Sequence, residues 1–195
     1  MRFNPSGPKF SPTEWSRFFK MVRSGLAKAG LLILSGSLPR GLPDNVYTVL
    51  IQLAHRLGVR TLLDCDGAPF AAAIKARPFL VKPNEHELAQ WWGKLLRAET
   101  DILSAARALS RETHGWVLVS RGGRRSLLVN TTEDFQCFAA PRQVKPRNTV
   151  GAGDALLAGV AHAIHSGLGP EKWLLRGLEI GTRATQLEPG CLPRR

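Results

Sequence analysis

No stretch of apolar residues here approaches the length needed to cross a bilayer. The first residues, Met1-Arg2-Phe3-Asn4-Pro5, lack the apolar core of a signal peptide. Cysteine is scarce. Cys65, Cys137 and Cys191 stand far apart and are odd in number, which excludes a metal-type pair, argues against a disulfide framework and fits a reducing cytoplasm. Also missing is any Gly-x-x-x-x-Gly-Lys-Ser/Thr, so the chain has no Walker-type phosphate loop. Internal repeats and low-complexity linkers are absent as well. Acidic residues are outnumbered, 15 against 27 Lys and Arg, leaving a net charge of +12. That excess points to anionic partners. The basic residues are nonetheless scattered, with small clusters at Arg121/Arg124/Arg125 and Arg142/Lys145/Arg147 and no basic helical stripe. Nucleotide and sugar phosphates therefore rank ahead of nucleic acid.

What remains is ordinary for a globular protein: 44% hydrophobic and 22% charged residues in 195, read as a single domain over residues 1–195. Ser11-Pro12-Thr13-Glu14 is a capping box with proline at the first helical position, predicting a helix over Pro12–Ala29. Leu31–Leu34 reads as a short buried strand ending at Ser35-Gly36-Ser37. The periodicity then predicts a helix over Asp44–Leu57, a strand over Val59–Cys65, an alanine-rich helix over Pro69–Ala76 and a strand over Phe79–Val81. Asn84 is placed to cap a helix over Glu85–Trp92. A helix over Asp101–Thr113 and a strand over Trp116–Ser120 follow. Ser126–Val129 and Phe135–Ala139 read as a hairpin, and helices over Ala152–Ser166 and Pro170–Gln186 close the chain. Strands and helices in this alternation imply an α/β fold, a mostly parallel sheet with helices on both faces and a C-terminal β-hairpin. In such sheets ligands bind beyond the carboxyl ends of the strands. The polar, glycine-rich segments fall there: Ser35-Gly36-Ser37, Asp64-Cys65-Asp66-Gly67, Lys82-Pro83-Asn84 and Ser120-Arg121-Gly122-Gly123.

Asn148-Thr149-Val150-Gly151-Ala152-Gly153-Asp154 is the most informative stretch. Glycines followed at once by a helix aim free N–H groups and a positive dipole end at an anion. A carboxylate there repels that anion unless it has a task, and accepting a proton from an attacking hydroxyl is one. A bare Gly-x-Gly-Asp is also compatible with a simple helix start, Asp154 complementing the dipole. Asn84 with Glu87 three residues on is, by spacing alone, first of all a capping box. Ser35-Gly36-Ser37 reads equally as a strand-to-loop turn, and Asp64, ending a strand, as a site residue or a loop cap. His162 and His165 share a helix face but have no third ligand, so they read as packing or surface residues.

Taken together, four segments resemble the PfkB (ribokinase-like) carbohydrate kinases, in their 1-phosphofructokinase and tagatose-6-phosphate kinase branch. They are Leu34-Ser35-Gly36-Ser37-Leu38-Pro39, Val81-Lys82-Pro83-Asn84-Glu85-His86-Glu87-Leu88, Val119-Ser120-Arg121-Gly122 and Asn148 to Asp154; Asn4-Pro5-Ser6-Gly7-Pro8 is similar too. The resemblance implies a ribokinase-like fold and ATP-dependent phosphoryl transfer to a sugar phosphate, fructose 1-phosphate going to fructose 1,6-bisphosphate. It implies Asp154 as general base, with the N–H groups of Gly151, Ala152 and Gly153 holding the transferring phosphoryl. Lys82, Asn84, Ser120, Gly122 and Gly153 would bind ATP, and Asn84 with Glu87 would organise Mg2+ largely through water. The expected partners are the sugar phosphate and ATP, with a homodimer or a separate N-terminal half as the protein partner.

Two departures qualify it. The family's Gly-x-x-Gly after the Ser/Thr strand end has Gly122 but Arg125 at the second position, where the side chain is placed to add a phosphate contact. The chain also begins where the family is about a third through, so the first βα units, the sugar-gripping glycines and the β lid are expected to be absent. That leaves an unpaired strand edge and apolar surface exposed. It also keeps a second reading open: a truncated, non-catalytic nucleotide-binding remnant, or a subunit that needs a partner chain.

Overall fold

Four short apolar segments pair in parallel: β1 (Leu31–Ser35), β2 (Arg60–Asp64), β3 (Leu80–Val81) and β4 (Trp116–Val119). β5 (Ser126–Asn130) and β6 (Phe135–Ala139) continue the sheet as an antiparallel hairpin, in the order β1-β2-β3-β4-β5-β6. This computed structural model describes Gly7 and residues 9–188. Asn4, Pro5, Ser6, Pro8 and Cys191 lie outside the described residues.

Side chains alternate across the sheet, as the two-residue period of a strand requires. Leu34, Leu63, Val81, Val117 and Val119 enter one core layer, covered by α1 (Pro12–Leu26), α2 (Val46–Arg56), α3 (Gly67–Ala73), α4 (Glu85–Trp92) and α5 (Glu99–Thr113). Leu62, Leu80, Trp116 and Leu118 enter the other, covered by α6 (Ala152–His165) and α7 (Pro170–Ala184). Trp116 meets Trp173 of α7 edge-to-face, ring centroids 4.9 Å apart. Both layers are needed because a parallel sheet has no face that water can cover cheaply.

Local chemistry sets the ends of the elements. The Ser11 hydroxyl accepts the Glu14 N–H while Glu14 accepts the Ser11 N–H, closing the capping box that starts α1. α1 stops at Leu26 rather than Ala29, because the N–H groups of Lys28 and Ala29 turn back three residues to Gly25 and Leu26. The alanine-rich segment starts two residues early, at Gly67, and its last turn, Ile74–Ala76, is a 3-10 helix closed by Arg77 at φ 55°. α6 and α7 approach so closely that a Cβ on Gly159 would lie 2.8 Å from the Arg176 carbonyl oxygen. Only glycine permits that contact.

Among the described residues β1 is the edge of the sheet, with β2 as its one neighbour. Ile33 there is 43% exposed, and Phe18 and Met21 on the adjoining α1 are 37% and 64% exposed. The open edge and bare apolar surface expected from the sequence are both present.

Candidate functional site

The carboxyl ends of the parallel strands form one rim. Ser35 ends β1 and Asp64 ends β2; Lys82 and Ser120 each follow directly on β3 and β4. Backbone bonds lace these ends together: the Lys82 N–H donates to the Leu63 carbonyl at 2.9 Å, the Ser120 N–H to Pro83 at 3.0 Å and the Glu85 N–H to Ser120 at 3.2 Å. Lys82 is only 5% exposed, and its Nζ meets Asp64 Oδ2 at 3.0 Å. Burial pushes the Asp64 carboxyl above its ordinary range, Lys82 pulls it back, and the Asp154 and Asp66 charges add to the rise.

α6 opens above this rim. Gly151 takes φ 78°, a left-handed value that favours glycine, and reverses the chain into the helix. The Ala152 N–H turns back to the Thr149 carbonyl at 3.3 Å, and helical bonding begins with Ala155 to Gly151. Among the described residues the N–H groups of Gly151, Gly153 and Asp154 have no backbone acceptor. These are the free donors that a helix N-terminus offers an anion. Of the three N–H groups expected in this role, Ala152 alone is engaged within the protein. Gly153 lies beside the lysine, where a Cβ on it would meet Lys82 Nζ at 3.6 Å, an ordinary contact. Asp154, on the first turn, points across the rim to Ser35, whose Oγ donates to Asp154 Oδ1 at 2.9 Å.

Asn84 and Glu87 form a complete capping box on α4. Asn84 Oδ1 accepts the N–H groups of His86 and Glu87. Glu87 takes the Asn84 N–H at 2.8 Å on one oxygen and Asn84 Nδ2 at 2.6 Å on the other. The capping function foreseen from the spacing is therefore built. It leaves the half-buried Glu87 carboxylate with lone pairs to spare beside Lys82. Burial raises the Glu87 pKa, the Asn84 N–H and Lys82 oppose the rise, and Asp64 and Asp66 reinforce it. Among the described residues no three His, Cys, Asp or Glu side chains are grouped to hold a metal ion. Hard oxygens without an all-protein cage suit a Mg2+ held by nucleotide phosphates and water.

Beside the α6 N-terminus lies a cavity of about 470 Å³. Its lining includes the polar Lys82, Asn84 and Ser120, the apolar Val144, Leu156 and Leu178, and Gly153. The segment between β6 and α6 arches over it, tied by the Arg147 and Asn148 N–H groups to the Thr185 carbonyl, and by Gln143 Nε2 to the Gly123 carbonyl at 3.1 Å. Gly122, at φ 58°, turns the chain on the far side. The Arg121 side chain, 7% exposed, is bound to both Glu85 and Glu99, which fixes this turn on α4 and α5. Arg125 does not face the cavity. Its guanidinium sits 4.9 Å from the Phe138 ring centroid and pairs with Glu99 at 3.5 Å, outside the residues that line the cavity. Arg142 lines the cavity instead.

A model of the pfkB family carbohydrate kinases matches residues 2–191. The chain belongs to that family. A 1-phosphofructokinase of Haemophilus influenzae is 34% identical over 163 residues, covering 83% of this chain and 51% of the relative. Another, from Xanthomonas campestris pv. campestris, is 42% identical over 144 residues, 71% of this chain and 45% of its own length. In structure, phosphofructokinase-2 from Escherichia coli, solved in complex with potassium, superposes with a TM-score of 0.87 at 28% identity, over 98% of this chain and 62% of that one. The ribokinase of Arabidopsis thaliana, at 21% identity and a TM-score of 0.73, covers 94% of this chain and 55% of its own, and shares the fold. The chain thus spans about half the length of the curated relatives it matches.

Three features of this site escape a motif reading. The pairing of Asp64 with the lysine, the brace that Gln143 gives the arch, and the lining of the cavity by Thr182 of α7 and its C-cap Thr185 are the three. Strand ends and a coil before the signature helix are visible in the sequence; their mutual approach depends on α6 folding back over the sheet. His162 and His165 are exposed on α6.

Proposed function

We propose that this chain carries the nucleotide-binding and catalytic part of an ATP-dependent sugar-phosphate kinase that converts fructose 1-phosphate to fructose 1,6-bisphosphate. The observation that carries the reading is the meeting, at one rim, of the unengaged N–H groups of Gly151 and Gly153, the Lys82 ammonium and the Asp154 carboxylate beside the 470 Å³ cavity. The nucleotide lies in that cavity with its base against Val144, Leu156 and Leu178. Its terminal phosphates point to the α6 N-terminus. Asp154 takes the proton from the sugar hydroxyl as its oxygen bonds to the γ-phosphorus and the bond to ADP breaks. The Gly151 and Gly153 N–H groups then hold the charge on the transferring phosphoryl, and donors so placed are typically worth about 3–4 kcal/mol each. Lys82 meets the phosphates as a point charge, and Ser120 and Gly122 line the approach. Bound Mg2+ would neutralise phosphate charge; Asn84 and Glu87 would hold its waters. Residues 1–195 act as one domain, in the cytoplasm, where cysteines such as Cys65 and Cys137 remain thiols.

The open β1 edge favours a second reading, in which the chain binds nucleotide but acts only with another chain along that edge. One assay separates them: ADP release by the purified chain with magnesium-ATP and fructose 1-phosphate, beside an Asp154→Asn control. Turnover is expected to fall about 10²–10⁴-fold in the control with ATP affinity unchanged. A control as fast as the wild type removes Asp154 as the base. Saturable ATP binding without turnover in the wild type favours the second reading.

A further inference from the structure

We propose that Ser35 is a positioning residue for Asp154. Its hydroxyl holds one carboxylate oxygen so that the other is presented to the acceptor hydroxyl. The inference rests on the reading of Asp154 as the base.

The bond itself is direct: Ser35 Oγ donates to Asp154 Oδ1 at 2.9 Å, between residues 119 apart in sequence. Its donor stands on fixed ground. Ser35 is the last residue of β1 and is in register with Asp64 of β2. The next residue is locked from both sides, the Gly36 N–H donating to the Asp64 carbonyl at 2.9 Å and Tyr47 Oη donating to the Gly36 carbonyl at 2.8 Å. Gly36 then takes φ 92° and turns the chain away, leaving the exposed serine at the rim.

The acceptor needs such a partner. An aspartate at the third position of a helix has a competing use, since its carboxylate can fold back on the free N–H groups of its own first turn. Those are the N–H groups of Gly151 and Gly153 that the transferring phosphoryl requires. The serine draws the carboxylate outward, across the rim and away from them. A single accepted bond on Oδ1 leaves Oδ2 to receive a proton. Ser35 spends its own hydroxyl proton on Asp154 and so has none to donate to a substrate.

The experiment compares the full chain as wild type, Ser35→Ala and Ser35→Thr, by crystal structure and by turnover with magnesium-ATP and fructose 1-phosphate. Thermal melts confirm that each variant is folded. Wild type and Ser35→Thr are expected to hold Asp154 in one rotamer, and Ser35→Ala to spread it over several. Misplacing a reacting group by about 1 Å can cost up to about 100-fold, so kcat of Ser35→Ala should drop roughly 10- to 100-fold with both KM values little changed, and Ser35→Thr should recover it. An unchanged Asp154 rotamer in Ser35→Ala overturns the proposal. So does a raised KM for the sugar phosphate with kcat intact, which would make Ser35 a substrate contact. If the wild type shows no turnover, the functional reading fails on that result and the rotamer comparison alone decides the role of Ser35.

Discussion

Lys82 and Asp64 hold each other at the ends of neighbouring strands, Nζ to Oδ2 at 3.0 Å, with 5% and 16% of their side-chain surfaces exposed. Burial acts on the carboxyl more strongly than the lysine offsets it, which is why its pKa rises in spite of a cation at contact distance. A pair of this kind adds little net stability, yet losing one member strands the other in a dry site. Asp64→Ala should therefore destabilise the chain by about 3–5 kcal/mol, and Asp64→Leu combined with Lys82→Met should recover most of it. Urea unfolding of the three variants measures this. A single-variant loss well under about 1 kcal/mol would show the pair to be solvated.

Stability should also depend on pH through Glu87. Its folded pKa is raised from the ordinary 4.5, by burial first. The folded state then keeps a proton that the unfolded chain has already released. The contribution is fully present below pH 4.5 and is lost as pH rises through the folded value. Glutamine removes the charge and keeps the capping bond from the Asn84 N–H, at the loss of the second bond from Asn84 Nδ2. Between pH 4.5 and neutrality, Glu87→Gln should lose less stability than the wild type, as read by melting temperature. Parallel curves for the two would sink the assignment.

Gly153 offers a cleaner separation of fold from chemistry. A methyl group there meets Lys82 Nζ at 3.6 Å, an ordinary contact, and nothing closer. Alanine is a better helix former than glycine by about 1 kcal/mol, so Gly153→Ala should hold or raise the melting temperature. The same methyl crowds the N–H groups that would face the phosphoryl. ATP binding by calorimetry should weaken in a protein that is no less stable; a variant that binds ATP as the wild type does would place the phosphates elsewhere.

Where α6 crosses α7 the tolerance is opposite. A Cβ on Gly177 would stand 2.7 Å from Val160 Cγ2 and 3.0 Å from the Leu156 carbonyl oxygen. Forcing an extra carbon into a close-packed seam costs about 1–3 kcal/mol. In a chain of this size that is a fall of roughly 2–4 °C per kcal/mol in melting temperature, with Gly177→Ala compared against wild type by calorimetry. An unchanged melting point would mean that the two helices can part without loss.

Much of this arrangement is written in local sequence. The Asn84 cap fixes Glu85–Trp92 residue for residue, and the Ser11–Glu14 box fixes the start of α1. Strand ends and glycine turns are enough to put the rim residues on one side of the sheet. Less legible are features that need a partner from elsewhere in the chain. The glycines and arginines around Arg125 suggest a phosphate contact for it. Its position is decided by Phe138 on β6 and Glu99 on α5, neither of which the loop announces. The bond from Ser35 to Asp154 joins the start of the chain to its end, and no periodicity encodes it.

That bond gives the open strand a second significance. In the parallel register of β1 on β2, Gly36 turns its N–H inward to Asp64, so Ser35, one residue earlier, turns its own N–H outward from the sheet. A strand laid along β1 would take hydrogen bonds from the backbone of the very residue whose side chain steers the carboxylate. Assembly at the edge and readiness at the reacting centre would then be a single mechanical event, with β1 as the lever between them.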